Sequence, residues 1–213
     1  MIFKLDVQRQ AIPPTIGGKV PIPTPHPFRI LSPGAPSDSA TLGAFDLVLE
    51  RSAFGGGSHP TTISCLALLA GLAPLTGVGL LDLGSGTGIL GIAALRLGAA
   101  NALCVDVNPD AVASARRNGD ASGVGDRIEH RCATASDLEG SRFDLIVANI
   151  GGELLLDEAE RITPLTGRGG RLLLSGLLAG YADELAAAYG RLGCQVREKR
   201  FPGEFCTLLL ERT

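Results

Sequence analysis

The chain has 213 residues, a formal net charge of −3 at pH 7, 45% hydrophobic residues and only 4% aromatic ones. This length supports one medium-sized domain with a full hydrophobic core and a short additional segment. With 19 basic residues against 22 acidic ones, the composition argues against direct nucleic-acid binding, and no apolar run is long enough to predict a membrane-spanning helix.

The five cysteines and three histidines are widely spaced, and no pair of histidines has the spacing of metal ligands. We therefore predict no metal site. The cysteines lie mostly in apolar segments, which is typical of small buried side chains in a reducing compartment. Because the first ten residues lack the apolar core of a signal peptide, we expect a cytoplasmic protein.

The N-terminal segment is rich in proline, since residues 1–40 hold eight of the 13 prolines. Such a segment cannot form a helix and pairs poorly in a sheet. We predict an extended proline-rich arm over residues 1–44, with residues 28–31 as a possible edge strand, and one folded domain over residues 45–213. A proline-rich docking motif is the less favoured alternative, because no clean P-x-x-P repeat is present.

A second glycine-rich stretch follows a strand predicted over residues 45–50. Residues 54–62 read FGGGSHPTT, and Pro60 stands where the first residue of a helix is expected. The stretch is either a flexible linker or a mobile lid over a ligand. We favour the lid, because this polar, flexible loop precedes the strand that carries the main glycine motif.

That main motif, residues 79–92, reads GLLDLGSGTGILGI. An apolar strand ends in the alternating glycines Gly84, Gly86 and Gly88, and an apolar helical pattern follows. Glycines let backbone amides approach a ligand at the N-terminal end of a helix. An ordinary tight turn would not need three of them, so the motif predicts a nucleotide-like ligand.

Two classes of ligand fit this loop. Residues 86–91 match the dinucleotide pattern G-x-G-x-x-G, and Asp106 lies at the acidic position about twenty residues on that binds a ribose. Asp82, at the end of the strand, would repel a pyrophosphate but suits a ligand with an ammonium and a sulfonium group. That ligand is S-adenosyl-L-methionine, and the stretch resembles the first motif of class I methyltransferases.

The remainder of the chain alternates strands and helices, which predicts a doubly wound, mainly parallel sheet with helices on both faces. The last two predicted strands, residues 195–200 and 205–211, are joined by a short turn and form an antiparallel hairpin. This ending is typical of class I methyltransferases rather than of dehydrogenases, so we predict an α/β, Rossmann-like fold. The other predicted strands cover residues 102–107, 127–132, 143–149 and 171–175.

Polar residues end two of these strands. Asp106 is placed to hold ribose hydroxyls, although it could instead be a charge at a helix N-terminus. The amide oxygen of Asn149 could accept a hydrogen bond from a nucleophilic amine, or the residue could cap the helix that begins near Gly152. Since no obvious histidine base follows Asn149, an amine acceptor is favoured over a phenol.

Five segments together resemble the PrmA-type enzymes, which methylate lysines and the N-terminal amine of a large-subunit ribosomal stalk protein. They are residues 54–62, 81–94, 105–109, 147–150 and 174–179. The resemblance covers about residues 45–213 and implies S-adenosyl-L-methionine as the cofactor. It also implies a protein substrate and cofactor contacts at Thr62, Gly84, Asp106 and Asn149.

The chain departs from the family in two places. The family carries a separate N-terminal substrate domain where this chain has the proline-rich arm, and Gly151-Gly152 follows Ile150 where the family usually has Leu-Ala. We predict an N-methyltransferase acting on protein amino groups. The alternatives are an enzyme for small molecules or another protein such as an electron-transfer flavoprotein, a nucleic-acid amine methyltransferase, and a cofactor-binding module without catalysis. The oligomeric state is left open.

Overall fold

The structure, a computed structural model, describes residues 26–33, 43–50 and 56–213. Most of the arm predicted over residues 1–44 lies outside these ranges. None of the helices within them is long and apolar enough to cross a bilayer. The strands are β1 (Arg29–Leu31), β2 (Asp46–Val48), β3 (Gly79–Leu83), β4 (Asn101–Asp106), β5 (Ile128–Cys132), β6 (Phe143–Asn149), β7 (Thr166–Leu178), β8 (Cys194–Arg200) and β9 (Phe205–Arg212). The helices are α1 (Pro60–Leu72), α2 (Ile89–Arg96), α3 (Pro109–Ala121), α4 (Gly152–Asp157), α5 (Ala159–Leu165) and α6 (Ala182–Arg191).

Seven strands form the main sheet in the order β5-β4-β3-β6-β7-β9-β8. Neighbouring strands from β5 to β7 are parallel, and β9 is antiparallel to both β7 and β8. The predicted α/β fold with a C-terminal antiparallel hairpin is therefore confirmed. The strand order reverses between β3 and β6, and the crevice at the carboxyl ends of strands beside such a reversal is where open α/β sheets bind ligands.

The sheet separates two hydrophobic cores. Leu80 and Leu145 belong to the core on the α1–α2 side, whereas Leu81 and Ile146 belong to the core on the α5–α6 side, and all four are at most 2% exposed. Alternate residues of a strand point to opposite faces, so a continuous apolar strand fills both cores. This explains why the apolar runs in the sequence predicted the central strands.

The first two strands form a separate, parallel two-stranded sheet. The sequence predicted each strand but not their pairing. The Arg29 guanidinium donates to both carboxylate oxygens of Asp46, at 2.9 and 2.6 Å, and this contact holds the pKa of Asp46 below its ordinary value. A three-residue strand carries too little periodicity to identify its partner, so the pairing depends on contacts that only the fold reveals.

The connection between β6 and β7 differs from the prediction. Two helices, α4 and α5, lie there, and only the first was predicted. Strand β7 is also longer than the predicted residues 171–175, because it begins at Thr166 with a register shift against β6. A Cβ on Gly170 would lie 2.9 Å from the carbonyl oxygen of Gly167. Gly170 therefore allows this irregular start to the strand.

One of the cysteines is not buried as expected. Cys132, at the end of the edge strand β5, is exposed, whereas the other four cysteines are buried, and all five are free thiols. Strand β5 has a neighbour on one side only, so its last residue faces solvent. The exposure of Cys132 depends on the position of its strand in the sheet. The apolar character of the neighbouring residues does not indicate that position.

Candidate functional site

The carboxyl ends of β3, β4 and β6 lie side by side at one edge of the sheet. In the parallel registers, Leu83 pairs with Val105 of β4 and with Ala148 of β6. The residues that follow these pairs are the glycine loop, Asp106 and Asn149. Helix α1 brings Thr62 to the same edge. The structure thus brings together the residues that the sequence singled out along 88 positions of the chain.

The glycine loop after β3 has a backbone that only glycine adopts readily. Gly84, Gly86 and Gly88 have φ angles of +70°, +54° and +76°, in the left-handed region. A Cβ on Gly84 would lie 2.4 Å from Cγ2 of Ile150, and one on Gly88 would lie 3.1 Å from the Cβ of Ala115. The loop therefore needs these glycines both for its conformation and for its close contacts.

Asp106 holds the glycine loop from the end of β4. Its Oδ2 accepts a hydrogen bond from the Gly86 N–H, and its Oδ1 accepts one from the Asn108 N–H, both at 2.9 Å. An ionised carboxylate offers about four lone-pair sites, so each oxygen can still accept another donor. The side chain of the next residue, Val107, is apolar and 70% exposed. A fixed acceptor and an exposed apolar surface therefore lie together at this strand end.

Asp82 occupies a different environment from Asp106. It is 1% exposed, and its Oδ2 accepts a hydrogen bond from the Gly91 N–H at 2.9 Å, inside the first half of α2. Burial is the main cause that raises the pKa of this carboxyl to about 7; the Gly91 hydrogen bond opposes the rise, and the nearby charge of Asp106 adds to it. Asp82 thus supports α2 from beneath the loop and, when ionised, places a negative charge there.

The two polar atoms of the Asn149 side chain differ in their hydrogen bonding. Its Nδ2 donates to the Thr62 hydroxyl oxygen at 3.3 Å, while its Oδ1 is buried with no hydrogen-bond partner among the residues described. Amide orientation is assigned from such partners. A buried carbonyl oxygen normally has a donor, so this oxygen marks a position where a donor from a ligand would be stabilised.

Thr62 is itself held by the start of α1. The His59 side chain caps this helix by accepting from the Thr61 N–H at 3.4 Å, and Pro60 is the first helical residue. Thr62 is 6% exposed. Because the cap and the proline fix the first turn, the hydroxyl that orients Asn149 is attached to a rigid element.

The second glycine-rich stretch packs near the glycine loop that follows β3. A Cβ on Gly57, whose φ angle is +82°, would lie 2.3 Å from Cδ1 of Ile30 in β1 and 2.9 Å from Cδ1 of Ile89, the first residue of α2. The stretch therefore packs between the small sheet formed by β1 and β2 and the end of the glycine loop. This position suits the predicted lid. Residues 51–55 lie outside the described ranges, and the motion of the lid remains a prediction.

The sequence analysis missed Asn118, a buried polar residue that also contacts the loop. Its Nδ2 donates to the Thr87 carbonyl oxygen and its Oδ1 accepts from the Glu50 N–H, both at 2.9 Å. A signal was present, because Asn118 follows Ala111 and Ala115 at helical spacing on the buried face of α3. A polar residue in an apolar stripe commonly has a specific partner.

Other concave surfaces lie away from this edge. Three surface clefts have volumes of about 300, 280 and 360 Å³ and are bordered mainly by charged and glycine residues on other parts of the domain. The site is therefore identified from its chemistry at the strand ends, namely the glycine loop, the fixed carboxylate and an amide oxygen that has no partner within residues 26–33, 43–50 and 56–213.

Known proteins with similar sequences indicate the family to which this chain is related. A sequence model of the family described as ribosomal protein L11 methyltransferase (PrmA) matches residues 51–213. A ribosomal protein L11 methyltransferase of Methylococcus capsulatus is 43% identical over 149 residues, which are 70% of this chain and 50% of that protein. A protein of the same name from Salmonella newport is 44% identical over 140 residues, 66% of this chain and 47% of that protein. The chain spans about half the length of these curated relatives.

Solved structures agree with the fold. A ribosomal protein L11 methylase from Lactobacillus delbrueckii subsp. bulgaricus superposes with a TM-score of 0.71 at 28% identity, over 79% of this chain and 84% of that one. A putative RNA methyltransferase from Pyrococcus horikoshii gives a TM-score of 0.61 at 19% identity, over 71% of this chain and 84% of that one. At the lower identity the likeness concerns the fold alone.

Proposed function

The chain belongs to the PrmA family of ribosomal protein L11 methyltransferases, and from this premise we propose that it transfers methyl groups from S-adenosyl-L-methionine to amino groups of a protein. The observation that carries the proposal is the buried Oδ1 of Asn149, which has no hydrogen-bond partner in the described part of the chain and is oriented by Thr62 beside the glycine loop. An oxygen in this state accepts a hydrogen bond from an amine N–H.

The residues at this edge fit the proposed cofactor. Asp106 keeps acceptor capacity for two ribose hydroxyls beyond its backbone partners, and the exposed Val107 offers an apolar surface for a flat base. The loop itself exposes no bulky side chain at Gly84 or Gly86. When ionised, Asp82 beneath the loop favours a cationic ligand over a pyrophosphate.

The bound cofactor would supply a methyl group on a cationic sulfur, which an amine displaces in line. The acceptor must be the neutral amine, and removing the proton of a lysine at pH 7 costs roughly 4.6 kcal/mol from a reference pKa near 10.4. Asn149 accepts one N–H of this neutral amine, which leaves the nitrogen lone pair free to attack. The proton lost from the lysine would pass to water before transfer, and the methylated nitrogen would take over the positive charge that the sulfur gives up with its methyl group.

The acceptor we propose is a ribosomal protein, and the reaction would take place in the cytoplasm. Support comes from the names of the relatives and from a strand end that carries an amide rather than a base. Since the chain spans about half of those relatives, the identity of the acceptor is the part of the proposal that an experiment must address first.

The test is methyl transfer from tritiated S-adenosyl-L-methionine to purified ribosomal protein L11, with whole lysate as a second acceptor and Asn149→Ala as the matched control. We expect protease-sensitive label on the ribosomal protein, at positions that mass spectrometry assigns to amino groups, and none with the variant. Label on another lysate protein would identify that protein, rather than the ribosomal protein, as the substrate. Nuclease-sensitive label would replace the proposal with an RNA-directed activity, and no transfer to any acceptor would overturn it.

A further inference from the structure

Helix α3 presents one buried stripe to two parts of the chain that are distant in sequence. Ala115 packs against Gly88 of the glycine loop, and Ser122 contacts β2. Asn118 lies between them on the same face and is fully buried. We propose that Asn118 is a positioning residue that couples the glycine loop to the small N-terminal sheet, so that cofactor binding and the position of that sheet depend on each other. The inference rests on the proposed function only in taking S-adenosyl-L-methionine as the ligand of the loop.

The two hydrogen bonds of Asn118 define its orientation without ambiguity. The Thr87 carbonyl can only accept, so it must face Nδ2, and the Glu50 N–H can only donate, so it must face Oδ1. Each bond is 2.9 Å long. Aspartate cannot make both bonds when ionised, and an aliphatic side chain makes neither. The bridge therefore requires an amide at this position.

The bridge holds the loop at the residue next to the one that Asp106 holds. Asp106 fixes the N–H of Gly86, and Asn118 fixes the carbonyl of Thr87, the next residue. These two anchors set the direction in which the intervening peptide presents its polar groups. A ligand that contacts the loop is therefore affected by Asn118 even though the side chain itself is buried beneath it.

The other end of the bridge is at the small sheet. Glu50 follows β2 and precedes the second glycine-rich stretch, which packs against β1 and α2 at Gly57. An ion pair between Glu50 and Arg117, at 2.9 Å, adds a second link to α3. A ligand that orders the loop should therefore order the backbone at Glu50.

A purely structural role for Asn118 would be to anchor β2, and Ser122 already provides that anchor. The Ser122 hydroxyl accepts from the Val48 N–H at 2.9 Å and donates to the Val48 carbonyl at 3.2 Å. Ser122 follows the last residue of α3 and is as buried as Asn118, but its contacts with Val48 do not include the glycine loop. It is therefore the matched control.

The experiment compares the wild-type protein with Asn118→Asp and Ser122→Ala, using S-adenosylhomocysteine as the probe. Calorimetry gives its dissociation constant, and hydrogen exchange gives the protection of the backbone amide of Glu50 with and without the probe. We expect the probe to slow exchange at Glu50 in the wild type and in Ser122→Ala. In Asn118→Asp we expect the dissociation constant to rise about tenfold and the added protection to disappear. Ser122→Ala should unfold at lower temperature and bind as the wild type does.

The outcomes separate the two proposals. A wild-type protein that does not bind the probe would overturn the proposed function and the inference with it. A wild type that binds but shows no added protection at Glu50 overturns the inference alone, as does Asn118→Asp with unchanged affinity and protection. If Asn118→Asp does not fold, Asn118→Ser, which adds no charge, is measured in its place.

Discussion

The strand ends at Asp106 and Asn149 differ in how their polar atoms are satisfied. Each oxygen of Asp106 accepts a backbone N–H, whereas Asn149 uses its amide nitrogen on Thr62 and keeps an oxygen with no partner among the described residues. Both residues end parallel strands at the same edge of the sheet. The difference therefore comes from their local partners, and not from their place in the fold.

This difference indicates two separate tasks. A carboxylate that the backbone already fixes is preorganised, so a ligand that adds hydroxyl donors needs little rearrangement to bind. A buried oxygen without a donor costs about 1–3 kcal/mol, which a substrate N–H would relieve. We expect changes at Asp106 to weaken cofactor binding and changes at Asn149 to slow transfer, and the predictions below test this separation.

The largest effect is expected from Asn149→Ala. Without the amide oxygen the acceptor amine loses its orientation, so kcat should fall by about a hundredfold or more, while the dissociation constant of S-adenosylhomocysteine changes much less. Single-turnover kinetics and calorimetry on the same preparation provide the two values. Equal losses in both would show that Asn149 acts on the cofactor alone and would remove the distinction from Asp106.

Asp106→Ala should have the opposite pattern. Losing charge-assisted hydrogen bonds should weaken cofactor binding by about 1.5–3 kcal/mol, which calorimetry measures as a higher dissociation constant. Asp110→Ala is the matched control, because Asp110 is an exposed acid in the first turn of α3 and should leave the constant unchanged. If both variants bind equally well, the ribose lies elsewhere.

Thr62 allows the orientation of Asn149 to be tested by a matched pair. Thr62→Val keeps the shape of the side chain but removes the acceptor for Nδ2 of Asn149, so the amide is free to turn. We expect kcat to fall about tenfold in Thr62→Val and to recover most of that loss in Thr62→Ser, which restores a hydroxyl. A valine variant as active as the serine variant would contradict an orienting role.

The smallest expected effect is on the pH dependence of stability, and it comes from Asp82, near the carboxyl end of β3. Its pKa rises from 3.8 to about 7 on folding, so the folded state holds the proton more tightly than the unfolded state. The stabilising contribution is therefore complete below pH 3.8 and is lost as the pH rises through 7. Between pH 6 and pH 8 this loss is about 1.4 kcal/mol.

Asp82→Asn removes this titration. Urea unfolding of both proteins at pH 6 and pH 8 should show that the free energy of unfolding of the variant, relative to the wild type, rises by about 1.4 kcal/mol over this interval. Identical pH dependence in the two proteins would mean that the carboxyl is ionised throughout and that its burial has little effect on its pKa.

The sequence predicted the main sheet closely where local signals are strong. The strand predicted over residues 143–149 coincides with β6, and Pro60 begins the helix it was expected to begin. The pairing of β1 with β2 and the second helix of the β6–β7 connection could not be predicted. Both depend on contacts between distant residues, which hydrophobic periodicity does not encode.

The candidate site could be predicted only in part, because the contacts between its residues also depend on the fold. Thr62 and Asn149 were identified separately, and the fold alone brings them within 3.3 Å. For Asp82 the pattern identified an acid at a strand end but not the direction of its side chain, which reaches Gly91 inside the molecule. Asn118 was not identified: its place in the apolar stripe of α3 indicates a partner, but only the fold shows that the partners are Thr87 and Glu50.

The insertion of β9 between β7 and β8 constrains how the protein is made. While the chain is being translated, β7 presents an unpaired edge until residues 205–212 have left the ribosome. The strands that carry the glycine loop, Asp106 and Asn149 come earlier in the chain and can pair before then. An open apolar edge invites association with other chains, so the interval between the synthesis of β7 and β9 is when the nascent chain is most exposed to aggregation.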